Sequence, residues 1–95
     1  MKLRYSRLAL ADLEAILAYI DAHSPQGARK VQARIQAVMN RLLQHPTIGT
    51  RTGDPTIRRM TTAPYPYLIF YEATDDEIII HAVRHGAREP FNRLQ

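Results

Sequence analysis

The stretch "YPYLIFYEATDDEIIIHAVRH", residues 65–85, decides the fold. "YPYLIFYEA" and "EIIIHAVRH" are dense in β-branched and aromatic residues, which suit a pleated, half-covered surface. The "TDD" between them supplies turn formers, so the two segments are predicted to be strands joined by a tight hairpin. Both are apolar on both faces at their centres, as interior strands of a small sheet are. Pro64 and Pro66 stand where the first of these strands begins. That place tolerates a missing N–H only where the ladder leaves the position unpaired.

Working outward, "TIRRMTT" before the hairpin reads as another strand, and "HPTIGTRTGDP", with two prolines and two glycines, reads as a loop. Upstream the period changes from two to that of a helix. Leu13, Ile16, Leu17 and Ile20 fall on one face of a helix predicted from about Arg7 to Ala22, with Ser6 as its cap. "HSPQGARK" is a restart, with Ser24 placed to cap and Pro25 at the first helical position. Ala28, Val31, Ile35, Val38 or Met39, and Leu42 form the next stripe. That helix should stop near Gln44, because Pro46 disfavours helical geometry at His45. "KLRYS" alternates Leu3 and Tyr5 against Lys2 and Arg4, a short strand. The expected class is α+β in the order β-α-α-β-β-β. A helical hairpin covers one face of a largely antiparallel four-stranded sheet, in one domain over residues 1–95. The other face then has no helix left to cover it, which is the physical reason to look there for function.

The net charge of +4 is unevenly laid out. Between Ser24 and Tyr71, Arg29, Lys30, Arg34, Arg41, Arg51, Arg58 and Arg59 face Asp54 alone. Glu72, Asp75, Asp76 and Glu77 form an acidic knot, and Arg84, Arg88 and Arg93 follow. Lys2 and Lys30 are the only lysines, so the cations are mostly planar guanidinium groups suited to phosphates or carboxylates. The chain has no cysteine, hence no disulfide and no thiolate metal site. The N-terminal segment is interrupted by Asp12 and Glu14 and does not read as a signal peptide or membrane span. A cytoplasmic protein is expected.

Strict alternation places Ile79, His81, Val83 and His85 on one side of the last strand, and Ile78, Ile80, Ala82 and Arg84 on the other. Arg58, Met60 and Thr62 oppose Ile57, Arg59 and Thr61 in the same way. A buried guanidinium needs a partner, so Arg84 is either neutralised by a carboxylate such as Glu72 or waits for an anion. His81 and His85 would sit about 13 Å apart along a strand, too far to chelate one metal. No metal and no other cofactor is expected. His85, flanked by Arg84 and Arg88, could serve as an acid or base, or as a structural histidine in the C-terminal turn. Tyr65, Tyr67 and Tyr71 are half-buried core residues or platforms for nucleobases.

Taken together, "DLEAILAYI", "SPQGARKVQARIQAVMNRLL", "HPTIGTRTGDPTIRRM", "YPYLIFYE" and "VRHGAREP" resemble the RelE/ParE toxin superfamily over about Tyr5 to Pro90. The resemblance implies the toxin half of a two-gene toxin–antitoxin module, silenced in a hetero-oligomer by a cognate antitoxin. One branch of the superfamily cleaves mRNA on the ribosome without a metal, and the other poisons DNA gyrase. The nuclease branch usually places a tyrosine at the C-terminal end. Here Arg84 is followed by His85, Gly86 and Ala87, and the only later aromatic is Phe91. Residues 46–60 hold no lysine, unlike the lysine-rich loop of the ribosome-bound type. The ending resembles the ParE side. The resemblance then implies target contact by Arg58, Arg59, Arg84, His85 and Arg88 together with the tail from Pro90. Were the chain a nuclease, Arg58, Arg84 and His85 would be its working groups. Antitoxin docking is expected around Leu8, Leu13, Arg34 and Arg41. A diverged, non-toxic binding module is the third reading.

Overall fold

A computed structural model describes residues 1–86 of the chain. Strand β1 (Lys2–Tyr5) leads into helices α1 (Arg7–His23) and α2 (Pro25–Gln44), followed by β2 (Thr50–Arg51), β3 (Arg58–Thr62), β4 (Tyr65–Ala73) and β5 (Glu77–His85). The sheet has five strands in the order β1-β5-β4-β3-β2. β1 lies parallel to β5, and every other pair is antiparallel. The fold class is as expected, with one correction. The four-stranded sheet gains a fifth, two-residue strand, β2, pairing Thr50 with Arg59 and Arg51 with Arg58.

Both helices start where their caps dictate. The Ser6 hydroxyl accepts the Ala9 N–H at 3.1 Å, and that of Ser24 accepts the Gly27 N–H at 2.9 Å. Each satisfies a donor that the first helical turn leaves orphaned. The helices cover one face of the sheet. Val31, Ile35, Val38, Met39 and Leu42 of α2 and Ala9 of α1 meet Ile69, Tyr71, Ile78, Ile80 and Val83. The apolar stripe of α1 (Leu13, Ile16, Leu17, Ile20) packs against this core while staying half-exposed.

A second correction concerns the faces of β5. Its pairing runs Phe70↔Ala82 and then Tyr71↔Ile80, so His81 is one residue too many. Such a β-bulge breaks the alternation. Ile78, Ile80 and Val83 all belong to the helix-side core, whereas Ala82 clusters with Ile57, Phe70 and Leu68 on the far side. The expected grouping of Ile78 and Ile80 with Ala82 and Arg84 therefore fails beyond residue 80. A shift in β4, Thr61↔Leu68 then Thr62↔Tyr65, passes over Pro66 and Tyr67 and leaves the missing N–H of Pro66 outside the ladder to β3. The buried Thr62 hydroxyl closes this irregularity by donating to the carbonyls of Tyr65 and Tyr67 at 3.3 and 3.2 Å.

The loop after α2 is tied to the sheet by Tyr71. Its hydroxyl accepts the Gly49 N–H at 2.9 Å and donates to the Pro46 carbonyl at 2.8 Å. A Cβ at residue 49 would lie 2.6 Å from that hydroxyl and 3.0 Å from the Arg59 carbonyl, so only glycine lets the loop approach this closely. Burial pushes the Tyr71 phenol above its ordinary value, against smaller opposing effects of Gly49 and Arg58.

Candidate functional site

The residues expected to form one cationic surface fall on two sides of the sheet. Arg58 lies on the helix side, paired with Tyr71, and donates from Nη1 to the Gly49 carbonyl at 2.9 Å. Arg59, its neighbour, points to the far side opposite Phe70 and is exposed. Arg84 stands on the far side opposite Leu68, half-buried, with Nη1 3.9 Å from Asp12 Oδ1 of α1. His85 follows on the helix side. Its ring meets Tyr67 edge-on, centroids 5.7 Å apart at 88°. Ala15, Ile16, Tyr19, Tyr67 and His85 line a groove of about 260 Å³ between α1 and the strand ends. Arg88 and the tail from Pro90 lie outside the described residues. Among the described residues Asp12 comes within 3.9 Å of Arg84, while Glu72 is engaged by His81.

The far side holds a pair that sequence reading missed. His81 Nε2–H donates to Glu72 Oε1 at 2.9 Å, and both side chains are about one-third exposed. Alternation from Ile79 already puts His81 on this side, and the bulge turns Ala82 to it as well, reversing the residues that follow. Alternation gives the side of His81 but not its register against Glu72, which the partner strand defines. Asp54 stands near the pair in the loop before β3. The Thr56 N–H and hydroxyl, bonded to it at 2.9 and 2.8 Å, hold its carboxyl below the usual carboxylate range, with a weaker pull from His81. Beside this polar end lies the small apolar cluster of Ile57, Phe70, Ala82 and Leu68, with Arg59 paired to Phe70 and Arg84 to Leu68.

The residues expected to meet an antitoxin also separate. Leu8 is 71% exposed on the first turn of α1, with Leu10 and Tyr19 also standing out. Leu13 packs against the core instead. Arg41 is exposed in the last turn of α2. Arg34 is half-buried, and its Nε is buried without a hydrogen-bond partner among the described residues.

The order of elements, the helical hairpin on one face and the cationic strand ends match a known group. Residues 3–90 match the ParE toxin family of type II toxin–antitoxin (parDE) systems. The chain belongs to that family. Toxin RelE2 of Caulobacter vibrioides is 38% identical over 80 residues, spanning 84% of this chain and 89% of that protein. A chain from the chromosomal ParDE TA system of P. aeruginosa superposes with a TM-score of 0.79 at 26% identity, covering 90% of this chain and 95% of the other. ParE membership accounts for the arrangement of two helices on a mixed five-stranded sheet. Among the described residues, no helix is long and apolar enough to cross a membrane.

Proposed function

We propose that the chain is held inactive by a cognate antitoxin in a hetero-oligomer. Released in the cytoplasm, it poisons DNA gyrase by binding rather than by cutting RNA. The supporting observation is the dispersal of the groups that phosphodiester cleavage would have to gather. Attack of a 2′-OH on the adjacent phosphate needs a base within hydrogen-bond reach and cations aimed at the charge that develops. Arg58 is engaged with the Gly49 carbonyl on one side of the sheet, His85 packs against Tyr67 on that same side, and Arg84 sits near Asp12 on the other. Such a set is better suited to gripping a protein surface along the rim of the sheet, with Arg59 and Arg84 facing the target and Arg88 adding charge from the tail. Antitoxin docking is assigned to the exposed Leu8 flank of α1 and to Arg34 and Arg41 on α2; an apolar flank on one helix and cations on the next suit an amphipathic acidic segment long enough to reach both. Overexpression in cells, with separate reporters for DNA damage and translation, tests the assignment. A DNA-damage response with continuing translation supports it. Growth without any arrest favours a non-toxic binding module.

A second reading, ribosome-dependent mRNA cleavage, is favoured by one specific observation, the His81–Glu72 pair. A carboxylate that fixes Nε2–H leaves Nδ1 as a potential proton acceptor on the sheet face without helices. Messages cut in a cell-free translation reaction are the outcome that selects this reading.

A further inference from the structure

We propose that Asp12 is a positioning residue for Arg84, fixing from helix α1 the strand end that faces the target. The inference rests on the reading that Arg84 meets that target. β1 accompanies β5 only as far as Tyr5 opposite Ile80. Beyond that point the beginning of α1 takes over the outer edge of β5. The Ser6 N–H donates to the Ile80 carbonyl at 2.9 Å, the Ser6 hydroxyl donates to the His81 carbonyl at 3.3 Å, and the Val83 N–H donates to Asp12 Oδ2 at 3.1 Å. A side-chain carboxylate thus does the work of a neighbouring strand at residue 83. Aspartate is a poor choice inside a helix on propensity alone, because its short side chain competes for backbone groups. Its place here is explained by the strand it serves.

The second oxygen of the same carboxylate, Oδ1, lies 3.9 Å from Arg84 Nη1. The two side chains are 20% and 24% exposed, so solvent screens their attraction only in part. One carboxylate therefore holds both the backbone just before Arg84 and the direction in which its guanidinium leaves the sheet. A long, rotamer-rich side chain restrained before contact loses less freedom on binding. The restraint holds the cation at the edge between α1 and β5, where an acidic group of the target has to be presented.

The experiment uses the full chain with Asp12→Asn, Arg84→Gln and the double variant. Asparagine keeps a side-chain oxygen for the Val83 N–H and removes the charge seen by Arg84. Inhibition of gyrase supercoiling is titrated, thermal melting reports folding, and the Arg84 Nε–H resonance reports the side chain directly. The expected result is an Asp12→Asn protein that melts like the wild type, inhibits about fivefold more weakly, and shows a shifted Arg84 resonance. The double variant should be no weaker than Arg84→Gln alone, because Asp12 acts through Arg84. Losses that multiply in the double variant, or an unshifted Arg84 resonance, overturn the proposal. If the wild-type chain leaves gyrase untouched, the target reading falls, and the Arg84 resonance in Asp12→Asn still decides the positioning.

Discussion

Glu72 and His81 meet on the sheet face away from the helices, Oε1 to Nε2 at 2.9 Å. Ile79, the strand partner of Glu72, shares that face with His81, and the bulge at His81 turns Ala82 to it as well. A side-chain hydrogen bond one-third exposed contributes little to stability, on the order of 0.5–1.5 kcal/mol at most. His81→Gln should therefore leave the melting temperature almost unchanged. It should also leave gyrase inhibition within about twofold of wild type, as measured by supercoiling titration. A loss of ~10²-fold or more in RNA cleavage would instead identify His81 as a working base.

Tyr71→Phe removes the acceptor of the Gly49 N–H and the donor to the Pro46 carbonyl together. Leaving one such buried group unsatisfied costs about 1–3 kcal/mol. In a domain of this size each kcal/mol lowers the melting temperature by roughly 4–8 °C. A drop of roughly 4–24 °C is expected from thermal denaturation, and a variant that melts like the wild type contradicts the assigned knot.

The same phenol sets an alkaline limit. Burial raises the pKa of Tyr71, and that of Tyr5 likewise, above the ordinary value of 10.0. The folded state therefore favours the neutral ring more than the unfolded state does. That stability is fully present below the unfolded pKa and is lost as pH rises through the folded one. Denaturant titrations should show constant stability from neutral pH to about 10 and a decline above it, shallower in Tyr71→Phe.

Arg58 and Arg59 are neighbours with different duties. Arg58→Ala breaks the bond to the Gly49 carbonyl and should cost about 0.5–1.5 kcal/mol of stability. Arg59→Ala, at an exposed position, should stay within ±0.5 kcal/mol while weakening target inhibition. Chemical denaturation of both variants beside the supercoiling assay separates these effects. Equal destabilisation would contradict the two-sided placement.

The parts of this fold legible in the sequence are those set by local chemistry. Ser6 and Ser24 cap the helices, Pro25 opens α2 and Pro46 closes it, and the apolar runs around Ile69 and Ile79 make the central hairpin. What stayed hidden depends on pairing between distant segments. β2 is two residues long, too short for any period. The extra residue at His81 exists only relative to β4, and it reverses the side to which every later residue of β5 points. The Asp12–Val83 contact joins residues 71 positions apart. Alternation along β3 already separates Arg58 from Arg59, so a single guanidinium surface containing both was at odds with the strand that carries them.

The central claim is that this ParE family member acts by binding gyrase through the sheet rim and not by cleaving RNA. The most direct measurement adds the purified wild-type chain to a gyrase supercoiling reaction and, in parallel, to a reconstituted translation reaction with a labelled message. The account predicts dose-dependent loss of supercoiling, relieved in Arg59→Ala and Arg84→Gln, with intact message and normal translation. Unimpaired supercoiling together with a cut message would contradict it.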